Sequence, residues 1–495
     1  LKKYKLTQQE RQFFCLVNRS VVSNPFSDER VELELSIAGL YPAASKMERI
    51  YKTIREVETR LDLLELENRA SIVFYSGPDR NLVKKAYLFS VFSRHRKDFD
   101  QLILGQLQEG NAPLPVPFAR EAIGTLRKRG FDRAESLRYF ALCYQLRRAY
   151  FFIGRSLVGA SPAMKKLRRD LWNAVFTHNI DLYDTYLWNR MEDFSTLILG
   201  ETGTGKGTAA MAIGRSGFIP FDETSGTFVT SFTRSFVPLN LSQFPEALIE
   251  SELFGHKKGA FTGAVENYEG IFHRCSPYGS IFLDEIGEVS TPIQIKLLQV
   301  LQERVFSPVG SQQKGRFQGR VIAATNRPLN KIREKGVFRD DFYYRLCSDI
   351  IVIPPLRQRI AETPGQAIDG LLPHTVERMV GRSSPELTAM VRRVIGENLG
   401  NSYPWPGNVR ELEQCVRRVL LKGNYQGDRH NQNTDISAHL AAGIERGDLD
   451  AQGLLTGYCR HLYRRHNTYE AVARQTGLDR RTVKKYIMAP MVSDD

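Results

Sequence analysis

Apolar residues recur along this chain with two different periods, and each period predicts a different element. Val31, Leu33, Leu35 and Ile37 alternate with polar residues, the period of a half-buried strand, and Ser71–Tyr75, closed by Ser76-Gly77-Pro78, reads as a second strand. Between them Met47, Ile50, Ile54, Val57, Leu61 and Leu64 step by three and four, with charges on the other faces. This is the seam of one long helix. At under about three heptads it is expected to face a core, a short coiled-coil contact being the alternative. Residues 1–150 hold no catalytic constellation and are read as an α+β or mostly helical regulatory or sensory domain.

From Ser161 onward short apolar strands alternate with amphipathic helices. Thr196–Leu199, Ser280–Leu283 and Val321–Ala324 are the strands, and the βα alternation predicts an α/β fold, a parallel sheet covered by helices on both faces. After Leu421 the polar, glycine-bearing stretch 423–435 predicts a linker, and a small basic helical segment, 436–495, ends the chain.

Composition bounds this picture. A length of 495 residues suggests about three domains. Hydrophobic content of 42% and charged content of 25% are those of a globular protein, and no apolar run approaches the roughly 18 residues of a membrane span. The polar, lysine-bearing first ten residues do not resemble a secretory signal, and because the chain starts at Leu1 rather than Met, further N-terminal sequence is expected to precede it. Six scattered cysteines, with no C-x-x-C pair, argue against a zinc site or disulfide framework and for a cytoplasmic location. The net charge of +14 favours a polyanionic partner.

Directly after the strand ending at Leu199 stands Gly200-Glu201-Thr202-Gly203-Thr204-Gly205-Lys206, a G-x-x-x-x-G-K loop in the required strand-loop-helix setting. Glycines let backbone N–H groups wrap a phosphate chain, the next helix presents its positive end, and Lys206 reaches the β- and γ-phosphates. The following residue, ordinarily a magnesium-binding Ser or Thr, is Gly207, and Thr208 lies about 100° further round the helix. Asp284-Glu285 close an apolar strand where strand ends open towards a ligand crevice, placing a carboxylate for magnesium (Asp284) and one for the attacking water (Glu285). A third string, Gly259-Ala260-Phe261-Thr262-Gly263-Ala264, is a small-residue hexapeptide with one aromatic.

With these motifs the chain resembles the bacterial enhancer-binding proteins, AAA+ ATPases that activate the sigma-54 form of RNA polymerase. The resemblance covers about residues 155–422 and implies an α/β core over 155–353, a helical lid over 354–422, and ATP and Mg2+ as cofactors. Leu157–Met164 resembles the family's entry segment, which brings Val158 and Gly159 to the nucleotide. Asn240, ending Phe236–Asn240, corresponds to the residue that restrains the catalytic carboxylate. Thr325 and Asn326 resemble the γ-phosphate sensor, and Arg339 and Arg345 the arginines that enter the neighbouring subunit's site. Arg410, in Trp405–Leu412, resembles the second sensor. The hexapeptide 259–264 implies contact with sigma-54 through Phe261 and Thr262. A homo-oligomer, a hexameric ring, is implied as well. Gly207 departs from the family, whose members mostly carry Glu there. Segments 177–195 and 217–235 are longer than the family pattern, and the second, rich in Phe, Thr, Ser and Gly, is expected to be an elaborated surface loop.

Residues 468–487 carry helix-turn-helix spacing. Ala473 allows close approach, Gly477 makes the turn, and Val472, Leu478, Val483 and Tyr486 fall inward. The second helix then offers Arg480, Arg481, Thr482, Lys484 and Lys485 to double-stranded DNA upstream of a promoter. A surplus of six positive charges lies in residues 456–487 and of eight in residues 1–150. The expected function is ATP-driven remodelling of the sigma-54 RNA polymerase holoenzyme, with no membrane association. An ATP-sensing DNA-binding regulator without turnover, and an AAA+ remodeller of another protein, are the alternatives.

Overall fold

The computed structural model describes residues 3–332, 334, 337–400, 403–427, 440–441, 443–445, 447 and 449–488. They fall into two compact units, one within Leu1–Arg392 and Tyr403–Val416, the other within Arg393–Ser402 and Arg417–Asp495.

The first unit begins with the helices α1 (Gln8–Val22), α2 (Asp28–Ala38), α3 (Lys46–Leu66), α4 (Gly77–Arg94), α5 (Arg96–Glu109), α6 (Ala119–Lys128) and α7 (Arg133–Ser156). Both strands expected here are absent. The stretch 31–37 lies inside α2, because its ends are strong helix signals. The Ser27 hydroxyl accepts from the Arg30 N–H, Asp28 and Glu29 occupy the first turn, and Gly39 closes the helix in the left-handed conformation. Leu33 and Ile37, four apart, then share the buried face. Ser71–Tyr75 forms a 3₁₀ turn over Ile72–Phe74, whose backbone is held by neighbours far along the chain, Ile72 N–H on Arg129 O and Tyr4 N–H on Phe74 O. The long helix is present as α3. It faces the core through Val57, Leu61 and Leu64, while Met47 and Tyr51 at its start are exposed.

There follow α8 (Pro162–Phe176), α9 (Ile180–Leu182), β1 (Thr196–Leu199), α10 (Lys206–Gly214), β2 (Phe221–Asp222), β3 (Thr227–Phe228), β4 (Phe236–Asn240), α11 (Glu246–Phe254), α12 (Ile271–Arg274) and β5 (Ser280–Asp284). The fold continues with α13 (Thr291–Glu303), β6 (Val305–Phe306), β7 (Gly315–Arg316), β8 (Arg320–Thr325), α14 (Leu329–Ile332), α15 (Asp340–Leu346) and β9 (Asp349–Val352). Five strands form a parallel sheet in the order β4-β5-β8-β1-β9, the architecture the alternation predicts. β1 and β8 are buried at every position, as a sheet covered on both faces requires. The helices α16 (Leu356–Glu362), α17 (Gln366–Val380), α18 (Pro385–Asn398) and α19 (Asn408–Lys422) follow.

The segment 217–235 is not a surface loop. It folds as the β2–β3 hairpin, and Ile219, Phe221, Phe228 and Phe232 are buried among the N-terminal helices. Phe228 stacks on Tyr144 with ring centroids 4.1 Å apart, and Phe221 meets Phe140 edge-on at 5.0 Å. The segment 177–195 is likewise tied to α7, with Tyr183 fully buried and its hydroxyl donating to Gln145 Oε1 at 2.9 Å, and with Asp184 paired to Arg138. One apolar core therefore runs from α1 to the sheet, and α7 passes unbroken through the expected boundary at residue 150.

In the second unit, helices Ala451–His466, Tyr469–Thr476 and Arg480–Met488 close on a small core of Cys459, Leu462, Val472 and Val483. Gly477 sits between the last two in the left-handed conformation, and Ala473, Leu478 and Tyr486 pack inward. The expected linker from 428 to 435 and residues 436–439 of the expected terminal segment lie outside the described residues, as do 489–495.

Candidate active site

The loop 200–205 leaves the C-terminal end of β1, where Gly203 and Gly205 adopt positive φ, and delivers Lys206 as the first residue of α10. Lys206 Nζ donates to Gly200 O at 3.0 Å and lies 3.7 Å from Glu285 Oε1. Its ammonium is thus held beside the loop by the carboxylate expected to activate water. Thr204 Oγ1 donates to Glu201 O at 2.7 Å and closes the turn.

Asp284 ends β5 on the same sheet edge, in register with Asn240 on β4. Burial and the adjacent Glu285 charge raise its carboxyl above the ordinary aspartate range, against the opposing pull of Lys206. Glu285 takes the left-handed conformation, φ 56°, and its Oε2 accepts the Asn326 N–H at 3.2 Å. A strained non-glycine backbone at a strand end turns this side chain towards the loop. Asn326 in turn reaches Thr202 Oγ1 at 3.4 Å, and Thr325 is fully buried at the end of β8. Asn240 Oδ1 is occupied by the backbone N–H (3.0 Å) and hydroxyl (2.8 Å) of Ser242, so Glu285 is held here by Lys206 and Asn326.

The start of α19 closes over the loop. The N–H groups of Val409 and Arg410 both point to Gly203 O, at 3.0 and 3.3 Å. A Cβ on Gly203 would stand 2.3 Å from Gly407 O, which makes glycine obligatory there. Asn408, buried, donates to Thr202 O at 3.1 Å and Glu201 Oε2 at 3.2 Å while its Oδ1 accepts the Leu356 N–H at 2.7 Å. Arg357 pairs with Glu201 and holds that carboxyl below its usual range, and Arg359 donates to Thr204 O at 3.1 Å. Arg357, Arg359 and Asn408 escaped sequence reasoning as site residues; the signal available was a pair of arginines two apart after Pro354-Pro355-Leu356. Val158 and Gly159 precede α8, where Arg168 donates to Gly159 O at 2.9 Å and the Ala163 N–H reaches Glu362 of α16 at 2.8 Å.

Gly207 is exposed on the first turn of α10, and a Cβ there would meet only Phe282 at 3.8 Å. Nothing steric requires glycine. Among the described residues no cluster of three or more His, Cys, Asp or Glu could alone hold a metal ion. The donor set fits magnesium in the manner of nucleotide sites, one carboxylate, Asp284, completed by phosphate oxygens and water.

Arg345 stands on α15 and Arg339 immediately precedes it. Arg339 pairs with Asp341 at 2.8 Å and is exposed, whereas Arg345 Nε donates to Leu301 O at 2.9 Å. The 259–264 loop lies between α11 and α12, closed by Gly259 N–H to Ala264 O (2.8 Å) and Ala264 N–H to Phe261 O (3.0 Å). Gly259 and Gly263 supply positive φ, and Phe261 folds edge-on over His256 at 4.9 Å. Ala260 packs below Gly310, Ala264 is buried, and Thr262 is exposed at the tip.

Residues 179–351, which span the P-loop, the acidic pair and the hexapeptide loop, match the family model described as Sigma-54 interaction domain. This stretch of the chain is similar to a sigma-54 interaction domain. It is 45% identical over 234 residues to the Nif-specific regulatory protein of Azotobacter vinelandii, covering 47% of this chain and 40% of that protein. To the DNA-binding transcriptional regulator NtrC of Azospirillum brasilense it is 37% identical over 263 residues, 53% of this chain and 47% of that one. The chain spans less than half the length of these curated relatives. Among solved structures, NtrX from Brucella abortus aligns over 74% of this chain and 79% of its own, at 20% identity and a TM-score of 0.40.

Proposed function

We propose that this protein hydrolyses ATP as a ring-forming homo-oligomer, a hexamer, and uses that turnover to remodel the sigma-54 RNA polymerase holoenzyme at promoters. The observation that carries this reading is the convergence on one sheet edge of Lys206, Asp284, Glu285 and Asn326 with the Arg410 turn. The P-loop backbone would cradle the phosphates, Lys206 would neutralise the β- and γ-oxygens, Asp284 would carry magnesium, and Glu285 would orient water once Lys206 turns to the phosphate. Arg339 and Arg345, neither of which reaches its own P-loop, would serve a neighbouring subunit, an effect worth ~10³–10⁵ in rate for an arginine supplied in trans. Exposed Thr262 and Phe261 would meet sigma-54, and the terminal helices would hold the ring on DNA through Arg480, Arg481, Thr482, Lys484 and Lys485. Among the described residues no helix is long and apolar enough to cross a membrane.

Steady-state ATPase measurements across protein concentration test this. A cooperative rise is expected, whereas absence of turnover at every concentration favours an ATP sensor, the reading that Gly207 supports. Thr262→Ala should keep ATPase activity and abolish open-complex formation.

A further inference from the structure

A second concavity, of about 570 Å3, opens on the sheet edge opposite the P-loop, beside the starts of β5 and β8. Its size is that of small-molecule sites, ~300–1,000 Å3. Three of the segments that contribute to its walls are ones that the nucleotide chemistry does not use. Gln145 comes from α7; Tyr183, Trp188 and Met191 from the 177–195 segment; Ser216, Gly217 and Phe218 from the turn after α10.

The walls combine flat apolar surface with unbalanced positive charge. Trp188 and Phe218 stand edge to face with centroids 4.9 Å apart, both half-buried, and Tyr278 adds a third ring that is 41% exposed. Such rings side by side at a pocket wall suit a planar ligand. Arg304, Arg316 and Arg320 line the cavity together with two carboxylates, Glu192 and Asp193. Arg304 is paired with Asp193 at 3.1 Å, and Arg320 donates to Phe194 O, Ala174 O and Thr196 Oγ1. Arg316, on β7, is exposed and has no ion pair among the described residues.

We propose that this cavity binds a small planar organic anion, of the arene carboxylate or sulfonate class, with its acid group at Arg316 and its ring against Trp188 and Phe218. A charge-assisted, forked contact with guanidinium favours such an anion over its neutral isostere. The same wall gives the site a line to the P-loop. Ser216 O and Gly217 O accept from Gln145 Nε2 (3.0 Å) and Arg148 Nη2 (2.7 Å), so a ligand pressing on this turn acts on the end of α10. That consequence rests on the ATPase reading above; binding itself does not.

Isothermal titration of the full chain with 1-naphthoate and with neutral 1-naphthamide tests the site without turnover. The expected result is one-to-one binding of naphthoate, at least tenfold tighter than the amide, and weakened at least tenfold by Arg316→Glu and by Trp188→Ala in proteins of unchanged circular dichroism. No saturable binding, equal affinity for the two probes, or undiminished binding by Arg316→Glu overturns the proposal. ATPase assays on the same samples separate the two readings. Turnover without naphthoate binding overturns the pocket alone, and binding without turnover upholds the pocket and overturns the ATPase reading.

Discussion

The Arg148 guanidinium on α7 donates to the Arg215 carbonyl at 2.7 Å, just beyond the last turn of the P-loop helix and 67 residues further along the chain. Its other amine holds Gly217 O, and the ring of Tyr144 lies 4.5 Å from the cation. Among the described residues no carboxylate pairs with this fully buried charge, and burial lowers its pKa to about 10, so it remains protonated at neutral pH. The helix C-terminus, with its partial negative charge and unpaired carbonyls, is the counter-charge.

Arg148→Met should therefore leave two buried carbonyls without donors and destabilise the protein by about 3 kcal/mol. Urea unfolding reads this, and ATP titration should show a raised KM because α10 loses its anchor. Arg148→Lys is expected to recover part of both, since it keeps the charge and one donor. An unchanged midpoint for Arg148→Met would show that the clamp contributes nothing.

Phe228 is buried, stacked on Tyr144 at 4.1 Å and on Phe140 at 6.0 Å. Phe228→Ala is expected to cost roughly 3–5 kcal/mol, as for other large-to-small core changes. A surface loop would lose less than about 0.5 kcal/mol, and denaturant midpoints distinguish the two.

Gly207 has room for a side chain. Gly207→Thr should fold at least as stably as the parent, gaining up to about 0.5 kcal/mol from reduced unfolded-state entropy. On the ATPase reading it would also add an oxygen donor beside the phosphates. The magnesium concentration that half-saturates ATPase activity should fall, and an unchanged magnesium requirement would show that the position does not reach the metal.

Asp349, at the start of β9, has its carboxyl raised, first by burial and then by Asp170, with Arg320 opposing. A folded-state pKa above the unfolded one means that the native state binds more protons at intermediate pH. Stability from this group is complete below the ordinary value of 3.8 and is lost as pH rises through the raised folded value. Asp349→Asn removes that loss, so its unfolding midpoint relative to wild type should rise between acidic and neutral pH. A pH-independent difference between the two would contradict this.

In the terminal helices Arg480 is paired with Glu470 at 2.9 Å, whereas the N–H groups of Arg481 and Thr482 are capped by Asp479, leaving the Arg481 side chain outward. Arg481→Ala is expected to lower DNA affinity at one or two base positions by about 1–3 kcal/mol, and Lys485→Ala to weaken all sequences alike. Gel shifts at physiological salt with a site library read both, and equal binding by wild type and the double variant refutes DNA recognition by this helix.

The P-loop, the acidic pair, the hexapeptide and the helix-turn-helix spacing were legible in the chain because each is a short run whose chemistry depends on neighbours in sequence. Glycines at 203 and 205, a lysine at 206 and carboxylates at 284–285 need only a strand end to be useful, and apolar runs announce those strands. The alternating residues 31–37 are ambiguous by period alone. Leu33 and Ile37 suit one face of either element, and Ser27 and Gly39, outside the pattern, select the helix. The burial of 217–235 and the Arg148 clamp were not legible at all. Phe221 and Phe228 become core only because α7 offers Phe140 and Tyr144, and an arginine becomes a helix cap only where distant carbonyls lack donors. Sequence determined which groups could bind a nucleotide; tertiary packing decided that the N-terminal helices share the core behind the P-loop, because burial and hydrogen-bond satisfaction are settled between residues far apart in the chain.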